Sequence, residues 1–105
     1  MTHVFEVTDK IGKKIHLTKE RWKHILKHPK MDENQLERIK ETLKNPLAVR
    51  YFSEDESVVY FYKHIKNNPA EEKYLFVSVK YLNGEGFIIT SFFTNKIKGL
   101  KWKAK

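Results

Sequence analysis

Hydrophobic positions change their period near the middle of the chain. Before residue 48 they recur at helical spacing: Trp22, Ile25 and Leu26 follow i, i+3, i+4, Thr18 ahead of them can cap a helix, and Pro29 stops it. Asp32 with Gln35 three residues on makes a capping-box start for a second helix, whose stripe is Leu36, Ile39 and Leu43 and whose end is Asn45-Pro46. From Val49 onward the period is two, and Val49 to Ser53, Val58 to Lys63, Lys73 to Tyr81 and Phe87 to Thr94 are predicted strands rich in aromatic and β-branched residues. Leu82-Asn83-Gly84-Glu85-Gly86 between the last two predicts a hairpin, because Asn-Gly takes the positive φ values of a tight turn. At the start, Val4 to Val7 and Lys14 to Leu17 flank Asp9, Lys10 and Gly12 as a short N-terminal β-hairpin. The expected architecture is α+β: two N-terminal helices packed on one face of a four-stranded antiparallel sheet, with the other face free for a ligand.

Alternation then sorts side chains between those faces. In the third long strand Leu75, Val77, Val79 and Tyr81 face the core, and Phe76, Ser78 and Lys80 face outward. In the fourth, Phe87, Ile89, Ser91 and Phe93 alternate with Ile88, Thr90, Phe92 and Thr94, so Thr90 and Thr94 join Ser78 and Lys80. Threonine also favours strands on a half-exposed face without any further role. Helix one adds Arg21, His24 and His28 at i, i+3 and i+7, one line along the border of its apolar stripe. His24 and His28 have the i, i+4 spacing of metal ligands, but there is no HExxH glutamate and no third ligand nearby, so no metal is expected. The plainer alternative packs His24 at the helix edge and sets His28 at the helix terminus, where a cation meets the dipole favourably.

Composition narrows the chemistry. At 105 residues, with 40% hydrophobic content, the sequence makes one domain with a modest core. The absence of cysteine excludes disulfides, thiolate–zinc sites, iron–sulfur clusters and a cysteine nucleophile. No signal-like start is present, and the longest nearly continuous apolar run, Val58 to Tyr62, falls far short of the roughly 20 residues that span a bilayer. The expectation is an unexported, cytoplasmic protein without a membrane partner. The net charge of +8 points to an anionic partner or to a solvated lysine-rich surface. The charge is segregated: residues 9–30 hold eight Lys/Arg against Asp9 and Glu20, and residues 95–105 hold five lysines and no acid. If those segments converge, they form one phosphate-binding surface.

Histidine can take a proton from a ribose 2′-hydroxyl or give one to a leaving 5′-oxygen, while Arg and Lys stabilise charge on the phosphate and hydroxyls orient it. This is metal-independent RNA cleavage, and it needs no protein nucleophile and no cofactor. The candidate catalytic set is Arg21, His24, His28, Lys80 and Thr90; the candidate substrate-binding set is Ser78, Thr94, Lys63, Lys101 and Trp102. Tyr60 and Tyr62 are further candidates for base stacking, although strand aromatics more often belong to a core.

The stretch Leu17-Thr18-Lys19-Glu20-Arg21-Trp22-Lys23-His24-Ile25-Leu26-Lys27-His28-Pro29, then Leu43-Lys44-Asn45-Pro46, then Phe87-Ile88-Ile89-Thr90-Ser91-Phe92-Phe93-Thr94 and a late Trp102, resembles the phage-associated Barnase-EndoU-colicin-RelE-like nuclease domains over roughly residues 15 to 103. The T-x-E-R-W-x-H-I-x-x-H-P segment is the most specific part. The resemblance implies two helices before a four-stranded antiparallel sheet and a metal-independent endoribonuclease of toxin or phage-module type. It also implies RNA as partner and, for a free-standing copy, a cognate antitoxin. Carried over residue by residue, it places Arg21, His24 and His28 on the helix side and Thr90 with Ser91 on the strand side, although alternation turns Ser91 toward the core. Two alternatives stay open: a catalytically silent RNA-binding module, and a phage-assembly or partner-binding domain whose charge serves docking.

Overall fold

Every segment of period two becomes a strand in the computed structural model, which describes residues 3–66, 68 and 70–101. The order is β1 (His3–Thr8), β2 (Lys14–Thr18), α1 (Lys19–Ile25), a 3-10 turn (Glu33–Gln35), α2 (Leu36–Lys44), β3 (Ala48–Phe52), β4 (Asp55–His64), β5 (Tyr74–Leu82), β6 (Glu85–Thr94) and β7 (Leu100–Lys101). The strands form a single mixed sheet in the order β1-β2-β6-β5-β4-β3-β7. This corrects the expected four-stranded antiparallel sheet. The predicted meander is its centre, but the N-terminal hairpin docks on β6 through a parallel pairing, Ile15 opposite Gly86 and His16 opposite Phe87. At the other edge β7 pairs with β3 at Arg50 and Tyr51.

A parallel junction between residues some seventy positions apart leaves no local pattern, yet one residue carries it. A Cβ on Gly86 would fall on the Ile15 and Val79 side chains, so any larger residue there forces them to shift, and glycine lets the hairpin close onto the sheet without that displacement. His16 reinforces the joint from the opposite face. Its ring nitrogens lie 2.8 Å from Glu6 Oε2 and 2.7 Å from Glu85 Oε1, and the ring stacks on Phe87 at 5.1 Å. The hairpin turn is organised by buried Asp9, which accepts from the amides of Ile11 and Lys13 at 2.9 Å and from the Tyr81 hydroxyl. Burial and that carboxylate push the Tyr81 phenol well above its ordinary pKa.

Both helices lie on one face, where Trp22, Ile25, Ile39 and Leu43 pack against Val59, Phe61, Leu75, Val77, Val79, Ile88 and Phe93. Fully burying an aliphatic or aromatic side chain of this kind is worth roughly 1.5–3 kcal/mol, so this face supplies most of the fold's driving force. Both helices are shorter than their sequence signals. Thr18 caps α1, accepting from Arg21 N at 3.2 Å, but α1 ends at Ile25 rather than running to Pro29. Tight turns follow, with Lys27 N donating to His24 O and His28 N to Ile25 O, and Leu26 is left exposed. Asp32 caps the 3-10 turn by accepting from Asn34 N at 2.9 Å, and α2 proper begins four residues later. Gln35 does not reach back as a capping-box residue; its buried Oε1 accepts from Arg38 Nη1 at 3.2 Å.

β5 and β6 meet at a two-residue turn, Asn83-Gly84, with φ of 53° and 82°, as the Asn-Gly signal predicts. Between them the register shifts: Ser78 faces Thr90, but Val79 faces Ile88, so Ile89 is a bulge. The bulge corrects the alternation read from sequence. It turns Ile88 inward with Ser91 and Phe93 and leaves Phe87 on the outer face with Thr90, Phe92 and Thr94.

Candidate active site

The outer sheet face carries no helix, and its chemistry gathers where α1 ends. Because β2 pairs with β6 only at Gly86 and Phe87, the rest of that edge of β6 is left to α1 and the turn after it. That turn swings His28 around the edge to the outer face, where its Nε2 lies 3.1 Å from Thr90 Oγ1 and its ring sits 5.3 Å from Phe92. His24 stands edge-on to His28 at 6.4 Å and is exposed, as is Arg21 one helical turn before it. Ser78 is the cross-strand partner of Thr90 and is almost fully buried. Five of the predicted residues, Arg21, His24, His28, Thr90 and Ser78, therefore share one corner of the molecule. His28 does not reach it as a helical residue, since the helix has already ended.

From that corner a row of rings crosses the sheet. Phe92 lies 4.7 Å from Phe76, and Phe76 lies 5.1 Å from Tyr60 and 5.2 Å from Tyr62. These rings floor an open cleft of about 390 Å³ whose rim is Thr94, Lys96 and Lys98. Tyr62 fixes the rim to the floor: its hydroxyl accepts from Lys98 N at 3.0 Å and donates to Lys98 O at 3.4 Å. Burial raises the Tyr62 phenol above its ordinary pKa, so it stays a neutral hydrogen-bonding post. Gly99, at φ 94°, closes the loop against Tyr51 and Tyr60, where a Cβ would lie 2.9 Å from Tyr51 O. Thr94 turns its hydroxyl back to accept from Lys96 N at 3.2 Å.

Other predicted residues are placed elsewhere. Lys80 is on the outer face, but its Nζ donates to Asp55 at 2.6 Å. The Lys80 ammonium and then Ser57 hold the Asp55 carboxyl down at a pKa of about 2. Lys63 is turned to the helix side, where its Nζ donates to Asn45 O at 2.9 Å beyond the end of α2. Ser91 is fully buried and donates to Phe76 O at 2.7 Å, in agreement with its inward alternation. The Lys101 backbone pairs with Arg50, and Trp102 lies outside the described residues. Phe76 and Phe92 were legible as outward-facing yet carried no role in the sequence reading; their pairing opposite Ser78 and Thr90 in the same two strands was the available signal.

Among the described residues no three His, Cys, Asp or Glu side chains gather where they could hold an ion, and no helix is long and apolar enough to cross a membrane.

The domain is a mixed sheet with one helix-covered face and one bare face, with histidines at its edge and a ring-floored cleft rimmed by lysines at one end. The sequence model of the phage-Barnase-EndoU-ColicinE5/D-RelE like nuclease 2 family matches residues 4–104, and the chain belongs to that family. No curated protein and no solved structure matches it.

Proposed function

We propose that this protein is a metal-independent endoribonuclease that cleaves on the outer sheet face at the corner of His24, His28 and Thr90. The observation that carries the reading is the 3.1 Å contact of His28 Nε2 with Thr90 Oγ1, which orients an imidazole over the bare face of a nuclease-family sheet. An imidazole whose ring is held by a hydroxyl is a pre-aimed acid–base group.

In the reaction one imidazole takes the proton from the ribose 2′-hydroxyl as that oxygen attacks phosphorus. The other gives a proton to the departing 5′-oxygen as the P–O5′ bond breaks. The products are a 2′,3′-cyclic phosphate and a 5′-hydroxyl, with every proton accounted for and no water consumed. Arg21, exposed one turn before His24, supports the charge that builds on the nonbridging oxygens. Thr90 positions His28, and Ser78 backs Thr90 from the neighbouring strand. Lys80 holds the end of β4 through Asp55 and leaves the phosphate to Arg21.

The test is incubation of wild type, His24→Ala and His28→Ala with mixed RNA in EDTA, reading fragments and their ends. The expected result is wild-type fragments ending in 2′,3′-cyclic phosphate, with each variant slower by roughly 10²–10⁴-fold. A strand with deoxyribose at the cleavage position should stay intact. RNA that is bound but never cut would overturn catalysis in favour of a binding module, and cleavage dependent on added Mg²⁺ would overturn the mechanism.

A further inference from the structure

The outer face is electrically divided. At the β5–β6 turn it carries Glu6 and Glu85 around His16, and Asp55 paired with Lys80, so carboxylates gather at that end. At the opposite end of β6 the cleft floored by Tyr60, Phe76 and Phe92 is rimmed by Lys96 and Lys98, both exposed, and among the described residues no acid lines it. Carboxylates at one end and an acid-free lysine rim at the other favour a polyanion in the cleft. The cleft volume of about 390 Å³ falls in the range of roughly 300–1,000 Å³ typical of small-ligand sites. Its floor offers the half-buried rings of Tyr60 and Phe92, and flat apolar faces beside ammonium groups are what a nucleobase with its phosphate requires.

We propose that this cleft is a nucleobase subsite: one unpaired base of a single-stranded RNA stacks on Tyr60 and Phe92, with an adjoining phosphate on Lys96 and Lys98. Phe92 is shared between cleft and corner, since the His28 ring lies 5.3 Å from it. A base held in the cleft thus delivers the next ribose and phosphate to His28 and His24. The enzyme selects unpaired RNA because a base stacked within a helix cannot turn into the cleft. This inference rests on the nuclease reading for its choice of RNA, and the base-binding cleft can be tested without cleavage.

The probe is a short single-stranded 2′-O-methyl RNA carrying 2-aminopurine, whose blocked 2′-oxygen prevents transesterification. Wild type should bind it with quenching of the 2-aminopurine fluorescence, and should bind its duplex form at least tenfold more weakly. Tyr60→Ala should weaken single-strand binding roughly tenfold and lose the quenching, as loss of one stacked base predicts. Lys98→Met, a surface change that leaves the floor intact, should lower the slope of log affinity against log salt by about one. Binding without quenching, equal affinity for duplex, or affinity unchanged in both variants would overturn the subsite. If the probe binds as expected but the corresponding ribose strand is never cut, the nuclease reading fails and the subsite stands. If the ribose strand is cut equally well by wild type and Tyr60→Ala, the subsite fails and the nuclease reading stands.

Discussion

The two faces of the sheet are built from the same strands, often from adjacent residues, and they do opposite work. Toward the helices Phe61, Leu75, Val77 and Val79 are fully buried and make only packing contacts. Toward solvent Tyr60, Ser78, Lys80 and Phe92 alternate with them, and every interaction described for the candidate site lies on this side. The helix-covered face holds the main core, while on the other face Tyr62 and Phe76 are buried among neighbouring rings and Tyr60 and Phe92 stay half-buried beside exposed Lys96 and Lys98. The difference teaches that the outer rings pack mainly on one another and not on the helices.

The sharpest way to break the comparison is at neighbouring positions in β4. Phe61→Ala should lower stability by about 3–5 kcal/mol, because it empties a fully enclosed site, whereas Tyr60→Ala should cost no more than about 1 kcal/mol. Urea titrations of both variants measure the difference, and equal losses would mean that the outer face is a core after all. A smaller effect comes from the seam that joins the hairpin to the sheet. Gly86→Ala should destabilise by about 1–3 kcal/mol, since its new methyl meets Ile15 and Val79; a thermal midpoint equal to wild type would show that the seam can open to admit it.

The smallest effect sharpens the division within the outer face. Asp55 has its carboxyl lowered from 3.8 to about 2, so its pairing favours the fold above pH 3.8 and loses that contribution as pH falls through about 2. Lys80→Met should raise the Asp55 pKa part of the way back, with the Ser57 hydrogen bonds keeping the rest of the shift. A carbonyl-carbon NMR titration reads this directly. An unmoved Asp55 would mean that the Lys80 ammonium is free for another anion. With Asp55 paired as it is, Lys80→Met should leave RNA cleavage within a few-fold of wild type, in contrast to His28→Ala.

Much of the candidate site was legible in the sequence. Period-two alternation placed Ser78, Thr90, Phe92 and Thr94 together, and helical spacing joined Arg21 to His24, because both patterns are set by backbone geometry within a few residues. The same logic ran out at the helix end: Pro29 marks a stop, but the helix breaks at Ile25, and only then can His28 round the sheet edge to Thr90. It ran out too for Lys63 and Lys80, whose partners Asn45 and Asp55 lie 18 and 25 positions away.

The sequence by itself determined six of the strands (though not the short β7), where the Asn83-Gly84 turn falls and which side chains share a face of β5, because those features rest on local propensity and the pleat. Only the tertiary structure decided that the hairpin docks parallel on β6, that the Ile89 bulge turns Ile88 inward, and that Lys96 and Lys98 rim a cleft of rings. Each of those depends on contacts between distant parts of the chain, where the energy lies in packing that no short window of sequence encodes.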